Sequence, residues 1–495
     1  MTAGQTIRHD QNRASRARRV LARPASAGLI GLVAMCSTVA AFAAPASATV
    51  AAKTSGVPAA SQPPTAADWP AYLDGAQHAS YNASQTVITP ATAPSLTRQW
   101  SFTDGATFNA SPTEAAGAVF IGSESGWFYK LSVHTGKVLE KVFLGHQPQL
   151  TCPANGITST ATVAVNPANK LLTVYVAGGD GYLYALSATT LRREWRAVIG
   201  VPSKKVNDYY DWSSPTVSHS RVYVGISSSC DKPLVHAGVL AFDEGTGKKL
   251  GQFFSVPAGA KNAGGSVWSS IAVAPNGDVY ATTGNGPADA PRLQNSESIL
   301  KLSAVRLKLL GSFKVPQRQV TYDGDFGASP VFFGSYVGAC DKNGVFYALS
   351  QATMKLVWWK RIANAAGGSG ECLAAPAYNG TDLFFGGAKT TISGTAYAGS
   401  VQERLASTGV VVWATGMPGS VIGSPTLDGG GVLAVGIFGG ATPGVSLINS
   451  ATGAVITQQL TTGMDFGQSV FARAWLFTAT SSGVAAWGLP VTPTT

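Results

Sequence analysis

The stretch TTGNGP, residues 282–287, closes a strand-like run, DVYA, by setting an asparagine between two glycines. A strand that only turns a corner needs one glycine, so two roles are open to Asn285. It is either a turn residue that tolerates the left-handed conformation, or a side-chain amide facing a ligand. Acidic side chains that could move protons are scattered along the chain: Asp208, Asp211, Asp323, Asp325 and Glu371. They are numerous enough for a glycosidase-like carboxylate pair, but no spacing singles one out. Other chemistries are excluded by missing patterns. None of the six histidines joins a Ser or Cys in a hydrolase motif, and no G-x-S-x-G occurs. No phosphate-cradling glycine loop follows a strand and opens a helix. The lack of C-x-x-C-H excludes covalently attached haem, and no haem is expected.

The elements that must position these residues come from repetition. A unit recurs that begins with a small residue and often SP. It continues as a strand, a turn, a strand containing V-Y or its equivalent, a Gly-rich turn, then G-x-x-x-A-L and often T-G-x-x-x-W. Copies start at Ser111, Ser159 and Ser214 and near Ser269, Ala328, Ala374, Gly423 and Gly467, at a mean spacing of about 51 residues. Each holds four short alternating segments, which is one propeller blade. The fold class expected is therefore all-β, an eight-bladed β-propeller of four-stranded blades. The last copy stops after three strands. Its outer strand is expected from LTRQWSF near the N-terminus, where Trp100 stands in the position other units give to their closing tryptophan. Trp100, Trp195, Trp358 and Trp413 share that position. They are expected to pack between blades with the indole N–H on a backbone carbonyl, the glycine of T-G supplying the turn.

Length and composition agree with this reading. A chain of 495 residues exceeds what one compact core usually serves, and 57 glycines with only 12% charged residues fit a turn-dense β protein. The formal charge is +10, half of it from six arginines and one aspartate in the first 48 residues. The remaining excess is spread thinly, so nucleic acid is not an expected partner. Residues 1–48 read as an export signal: six arginines, then the apolar run AGLIGLVAMCSTVAAFAA, then Ala46 and Ala48 in A-x-A spacing. Residues 49–66, rich in Ala, Ser, Thr and Pro, read as a disordered leader, 67–490 as the propeller and 491–495 as a tail. The mature protein is expected outside the cytoplasm, without a stable membrane span and as a monomer. Cys36 leaves with the signal, and four cysteines remain. An exported chain with an even number suggests two disulfides. By their places in neighbouring units they are paired Cys152–Cys230 and Cys340–Cys372.

The blade signature YALSATT…W, the opening DWPAYLDGAQHASYN and the string YDGDFGASP resemble the quinoprotein dehydrogenases that use pyrroloquinoline quinone. The resemblance spans roughly residues 67–490 and is nearest to the polyvinyl-alcohol-dehydrogenase-like branch. It implies a quinone lying flat on a tryptophan, a Ca²⁺ held by the quinone with a Glu, an Asn and often an Asp, a general-base Asp, and a basic residue at the quinone oxygens. Carried over, Trp268 of GGSVWSSIAV is the floor, and Asn285, seventeen residues later, is the Ca²⁺ ligand. Lys342 of DKNGVFYAL is the basic residue. Two positions depart from the pattern. The third repeat offers Ser229, Cys230 and Asp231 in GISSSCDKP, and no glutamate. Gln319 and Val320 stand where the catalytic Asp is expected. Asp231 is left as the candidate metal ligand and Asp323 as the candidate base. The adjacent-cysteine pair of the family is missing.

Two functions of different class follow. One is an exported, quinone- and Ca²⁺-dependent oxidoreductase acting on a small alcohol, its catalytic competence left open by the two departures. The other is a cofactor-free propeller that binds a protein or polysaccharide at the cell envelope.

Overall fold

In the computed structural model, residues 62–256, 263–287, 292–321, 323–364 and 371–490 are described. The expected signal, most of the leader and the tail lie outside them. Of the leader, residues 62–66 are described, and Thr65 caps the next turn through its amide on Asp68 Oδ2 at 2.9 Å.

The described residues form eight sheets, each with four antiparallel strands, and in one of them Tyr81–Asn82 adds a fifth strand, parallel to Thr426–Asp428. Blade 1 comprises Thr113–Ala115, Ala118–Gly122, Trp127–Ser132 and Val138–Phe143; blade 2 comprises Thr162–Val165, Leu172–Ala177, Tyr182–Ser187 and Arg193–Val198. Blade 3 is built from Thr216–Ser218, Arg221–Ile226, Gly238–Asp243 and Lys249–Phe254, and blade 4 from Ala272–Val273, Val279–Thr282, Ser298–Leu302 and Leu309–Lys314. Blade 5 holds Val331–Phe333, Tyr336–Cys340, Val345–Ser350 and Leu356–Arg361; blade 6 holds Ala377–Tyr378, Asp382–Ile392, Thr395–Leu405 and Val411–Met417. Blade 7 has Thr426–Asp428, Val432–Ile437, Gly444–Asn449 and Val455–Thr457. Blade 8 has Val470–Ala472, Trp475–Thr480 and Gly483–Gly488, and its outer strand is Thr97–Phe102, paired antiparallel with Gly483–Gly488. The N-terminal strand closes the ring as the repeat pattern requires.

The second strands are buried throughout or nearly so, whereas the outer strands are exposed or half-buried along their length. Blade faces are apolar because each lies against a neighbour, and eight apolar clusters fill the eight interfaces. The tryptophans do what their spacing predicts. Nε1 of Trp100, Trp195, Trp358 and Trp413 donates to the carbonyls of Val133, Glu244, Ala406 and Ser450 in the following blade, at 2.8–3.2 Å. Each indole also covers the T-G glycine of that blade. A Cβ on Gly136, Gly247, Gly409 or Gly453 would lie 2.5–2.8 Å from the ring, and all four have φ between 65° and 72°.

The small-residue starts have a role of their own. Around the axis, the amides of Ser111, Thr160, Ser214 and Ser270 donate to the hydroxyls of Thr160, Ser214, Ser270 and Ser329 in the next blade, at 2.9–3.0 Å. The stretch DWPAYLDGAQHASYN runs along the innermost strands. Its backbone from Ala67 to Ser80 bonds Glu114, Val163, Val273, Phe332, Tyr378, Leu427 and Arg473, one residue in every blade except blade 3. This one segment thus bonds the axial edge of every blade but blade 3.

Both expected disulfides are present, with Cα–Cα distances of 5.6 Å for Cys152–Cys230 and 5.3 Å for Cys340–Cys372. No described helix is long and apolar enough to cross a membrane.

Candidate functional site

In an up-and-down blade, the loop joining the second and third strands and the loop leading into the next blade emerge at the same end. Those loops of blades 1 to 5 surround a cavity of about 850 Å³. Asp231, Trp268, Asn285, Asp323 and Lys342, all named from the sequence, line it together. Asp231 comes from the second-to-third-strand loop of blade 3 and Trp268 from the approach to blade 4. Asn285 directly follows Val279–Thr282 of blade 4. Asp323 lies between blades 4 and 5, and Lys342 directly follows Tyr336–Cys340 of blade 5.

The polar centre is an ion cluster. Lys342 Nζ lies 2.7 Å from Asp325 Oδ2 and 3.0 Å from Asp323 Oδ2, and 5.6 Å from the ring centre of Trp268. Burial works against the Lys342 charge, but Asp325 and Asp323 outweigh it and push the ammonium up to about 12. The Lys342 amide also donates to the Asp325 carbonyl at 2.9 Å, which fixes the two loops in register. Asn285 joins the cluster through its backbone, its amide donating to Asp325 Oδ1 at 2.6 Å. Both oxygens of Asp325 are therefore engaged. The Asp323 carboxyl is raised by burial, with Lys342 lowering it and Asp325 raising it further. Asp231 is exposed and lines the cavity. Desolvation there, helped by the charges of Asp325 and Asp323, pushes it up to about 6, against the pull of Lys342 and a hydrogen bond from the Asn285 side chain.

Other acids line the cavity, from positions the resemblance does not name. Val320 does line the cavity where a catalytic Asp was expected, and Gln319 is turned away, its Oε1 accepting from the Tyr347 hydroxyl at 2.9 Å. The carboxylates of Asp323 and Asp325 occupy the cavity instead. No glutamate comes from the third repeat, but Glu297 of blade 4 enters the same cavity. Its amide donates to the Gly284 carbonyl at 2.8 Å, so Asn285 and Glu297 mark the two ends of one loop. Glu297 pairs with Arg292 at 3.2 Å. Burial, opposed by Arg292 and Lys314 and assisted by Asp325, pushes its carboxyl up to about 7. Sequence reasoning missed Glu297 because nothing in QNSES marks it, and it missed the structural weight of Asp325. The signal for Asp325 was present in the two acids of YDGDFG following the expected position.

Trp268 is half-buried at the cavity floor. Gly327 permits this, since a Cβ there would lie 2.5 Å from Trp268 Cη2. Trp212 lies beside it, 5.6 Å between ring centres, and Trp212 in turn contacts Phe466 at 4.9 Å, so aromatic rings cap the axis. Of the remaining acids, Asp208 accepts from the Ser203 amide at 2.6 Å. Asp211 is buried among protein, and Glu371 is buried 3.6 Å from Lys389. None of the three lines the cavity. The only glycosidase-like candidates left in it, Asp323 and Asp325, are both committed to one ammonium.

The donors facing the cavity are hard oxygens of the kind Ca²⁺ takes: the carboxylates of Asp231, Asp323 and Asp325 and the Asn285 amide. Among the described residues, no three acidic, His or Cys groups converge closely enough to hold a metal ion as they stand. The ammonium of Lys342 pairs with Asp325 and Asp323.

No protein-family model matches the chain, and no curated protein matches it in sequence. Solved structures do. The quinohemoprotein alcohol dehydrogenase of Comamonas testosteroni is similar at 15% identity and a TM-score of 0.68, over 87% of this chain and 82% of that one. A europium-containing methanol dehydrogenase is similar at 15% identity and a TM-score of 0.68, over 86% and 91%. BamB of Moraxella catarrhalis is similar at 15% identity and a TM-score of 0.51, over 80% and 98%. At such identities the likeness shows the fold, and the chain shares its eight-bladed propeller with quinoprotein alcohol and methanol dehydrogenases.

Proposed function

We propose that this chain is an extracytoplasmic, quinone-dependent oxidoreductase of alcohols, of the polyvinyl-alcohol-dehydrogenase-like kind, with its site in the cavity above Trp268. The observation that carries this reading is convergence. Five residues chosen from distant repeats on a family resemblance line one cavity, and an ammonium stands over an open indole at its floor. Two disulfides and the arginine-rich, apolar N-terminal stretch support an exported protein.

Each group has a physical task. Trp268 offers a flat, half-exposed face for a planar ring, and Lys342 offers a fixed cation at the rim of that ring. A quinone carrying carboxylates would meet Asp231, Asp323 and Asp325, so it requires a hard cation between them. Asp231, the Asn285 side chain and Asp325 are the donors for it, with Ca²⁺ the expected ion. Bound there, the quinone supplies the two-electron acceptor that amino-acid side chains lack. Asp323, the more exposed of the two acids beside Lys342, accepts the hydroxyl proton of the alcohol. Glu297, with Arg292 behind it, holds the Asn285 loop at its far end. The cavity also exceeds what a single cofactor fills, which leaves room for an alcohol.

Dye-linked alcohol oxidation by the full chain, supplied with pyrroloquinoline quinone and Ca²⁺ or Eu³⁺, tests this reading. Turnover that falls by about 10²–10⁴-fold in Asp323→Asn or Asp325→Asn supports it. Quinone binding without turnover on any primary or secondary alcohol would remove the enzyme reading. No quinone binding would leave the envelope-scaffold reading in its place.

A further inference from the structure

We propose that the outer edges of blades 4 to 7 form a docking surface for an anionic phospholipid membrane. The inference concerns the rim of the propeller and stands apart from the reading of the cavity.

The surface grows out of a repeated backbone feature. Every outer strand carries a β-bulge near its start, where two of its residues face one on the third strand. The extra residue stands outside the ladder, and together with the residue before it forms a pair on the rim. Blades 8 and 2 fill this pair with polar residues, Arg98–Gln99 and Arg193–Glu194, and blade 3 begins it with Lys249, as suits a solvated edge. In blade 1 the pair is Val138–Leu139, alone between blades 8 and 2. Four consecutive blades instead make both places apolar: Leu309–Leu310, Leu356–Val357, Val411–Val412 and Val455–Ile456. Seven of these eight side chains are 38–55% exposed, and so is Trp359 beside them. The pairs adjoin one another around the rim. A Cβ on Gly311 of blade 4 would lie 2.9 Å from Met354, in the turn that leads to Leu356. One on Gly409, in the turn that leads to Val411, would lie 2.7 Å from Lys360 of blade 5. Trp413 of blade 6 bonds the Ser450 carbonyl in the turn that leads to Val455. An exposed apolar arc of this extent marks an interaction surface.

Charge decides the partner. The outer strands of these blades with their leading turns, residues 303–318, 350–361, 405–417 and 449–464, hold seven lysines and arginines and no aspartate or glutamate. Arg306, Lys308 and Lys355 are exposed in the turns leading to the first two apolar pairs. Among the described residues, none of the three pairs with an acid. Apolar side chains with an indole among them and unpaired cations alongside match the boundary between anionic headgroups and acyl chains. A second copy of the chain fits poorly, because a two-fold contact through this arc would set its cations against themselves. The outer strands begin at the end of the ring opposite the loops that surround the cavity. A propeller seated on this rim therefore keeps its cavity open to solvent.

The test uses the full chain and vesicles made of equal parts phosphatidylcholine and phosphatidylglycerol, with pure phosphatidylcholine vesicles as the comparison. Co-sedimentation is expected with the anionic vesicles and to weaken with salt. The triple variant Leu310→Ser, Val357→Ser, Val412→Ser should lower the partition coefficient at least tenfold, and the double variant Lys308→Gln, Lys355→Gln about tenfold or more. Residues 1–48 are common to every variant, so the differences report on the blades. An environment-sensitive dye gives a second readout. Placed on Leu309→Cys in a Cys36→Ser background, it should brighten and shift to the blue on anionic vesicles. On Arg193→Cys, the matching place in blade 2, it should not change. All the substituted rim positions but Cys36 are exposed or outside the ladder, and circular dichroism confirms that each variant is folded. Unchanged partition of the triple variant, or the same dye response at both places, overturns the proposal. Failure to bind anionic vesicles also overturns it, and gives the arc to a protein partner.

Discussion

Gly284 lies flush against Asp325. A Cβ placed on Gly284 would overlap Asp325 Oδ1, the oxygen that takes the Asn285 amide at 2.6 Å. The first glycine of TTGNG is thus required by a carboxylate 41 residues away, and not by the turn it sits in. Gly284→Ala is expected to push Asp325 off that amide, at a cost of about 1–3 kcal/mol in stability and at least a tenfold loss of quinone affinity. Urea denaturation and cofactor titration of the variant measure the two effects. Stability loss with unchanged affinity would separate Asp325 from the site.

The two kinds of tryptophan should behave oppositely. Trp358→Phe loses the bond to the Ala406 carbonyl and part of the packing at the blade 5–6 interface. It is expected to cost about 1–3 kcal/mol and to leave cofactor binding unchanged. Trp268→Ala removes the floor of the cavity, and is expected to abolish cofactor binding with little change in Tm. Calorimetry and cofactor titration on both variants give the comparison, and a Trp268 variant that binds normally would remove the stacking role.

Legibility in the sequence follows from range. Blade strands, the T-G glycines and the closing tryptophans repeat every unit because each blade must solve the same packing problem, so one sequence suffices to show them. The N-terminal closing strand was readable because the last unit was one strand short. The axial path of residues 67–80 was not, since its backbone bonds leave no side-chain signature. At the site, Asn285 and Lys342 were found through the family resemblance of TTGNG and DKNGVFYAL. The contact of Asp325 with both, and the arrival of Glu297 from the wrong repeat, depend on how loops from separate blades meet. No local pattern encodes that.

The disulfides are expected to differ in reactivity. Cys230 is exposed at the cavity wall, whereas Cys340 and Cys372 are both fully buried. A small dithiol should therefore reduce Cys152–Cys230 first. That bridge closes a 78-residue separation, and its loss is expected to cost about 4 kcal/mol on chain-entropy grounds. It also frees the loop carrying Asp231, so cation binding should weaken before the propeller unfolds. Mass spectrometry of alkylated cysteines during reduction checks the order. Simultaneous loss of both bridges would contradict it.

Glu114 predicts a pH dependence of stability. It is fully buried under the N-terminal segment, with Arg473 at 3.0 Å and Asp68 nearby. Burial, then the Asp68 charge, outweigh Arg473 and push its carboxyl up to about 8. A carboxyl raised on folding favours the folded state while it is protonated, so its contribution is full below the usual glutamate range and is lost as pH rises through about 8. Glu114→Gln should flatten that decline by roughly 1–3 kcal/mol between pH 5 and 9. Parallel Tm–pH curves for wild type and variant would contradict the assignment.

The central claim is that the cavity over Trp268 binds a quinone with a hard cation. The most direct measurement is quenching of tryptophan fluorescence on titrating the full chain with pyrroloquinoline quinone, with and without Ca²⁺. The account predicts saturable, one-to-one quenching that depends on Ca²⁺ and disappears in Trp268→Ala. Absence of saturable quenching in the presence of Ca²⁺, or quenching indifferent to Trp268, would contradict it.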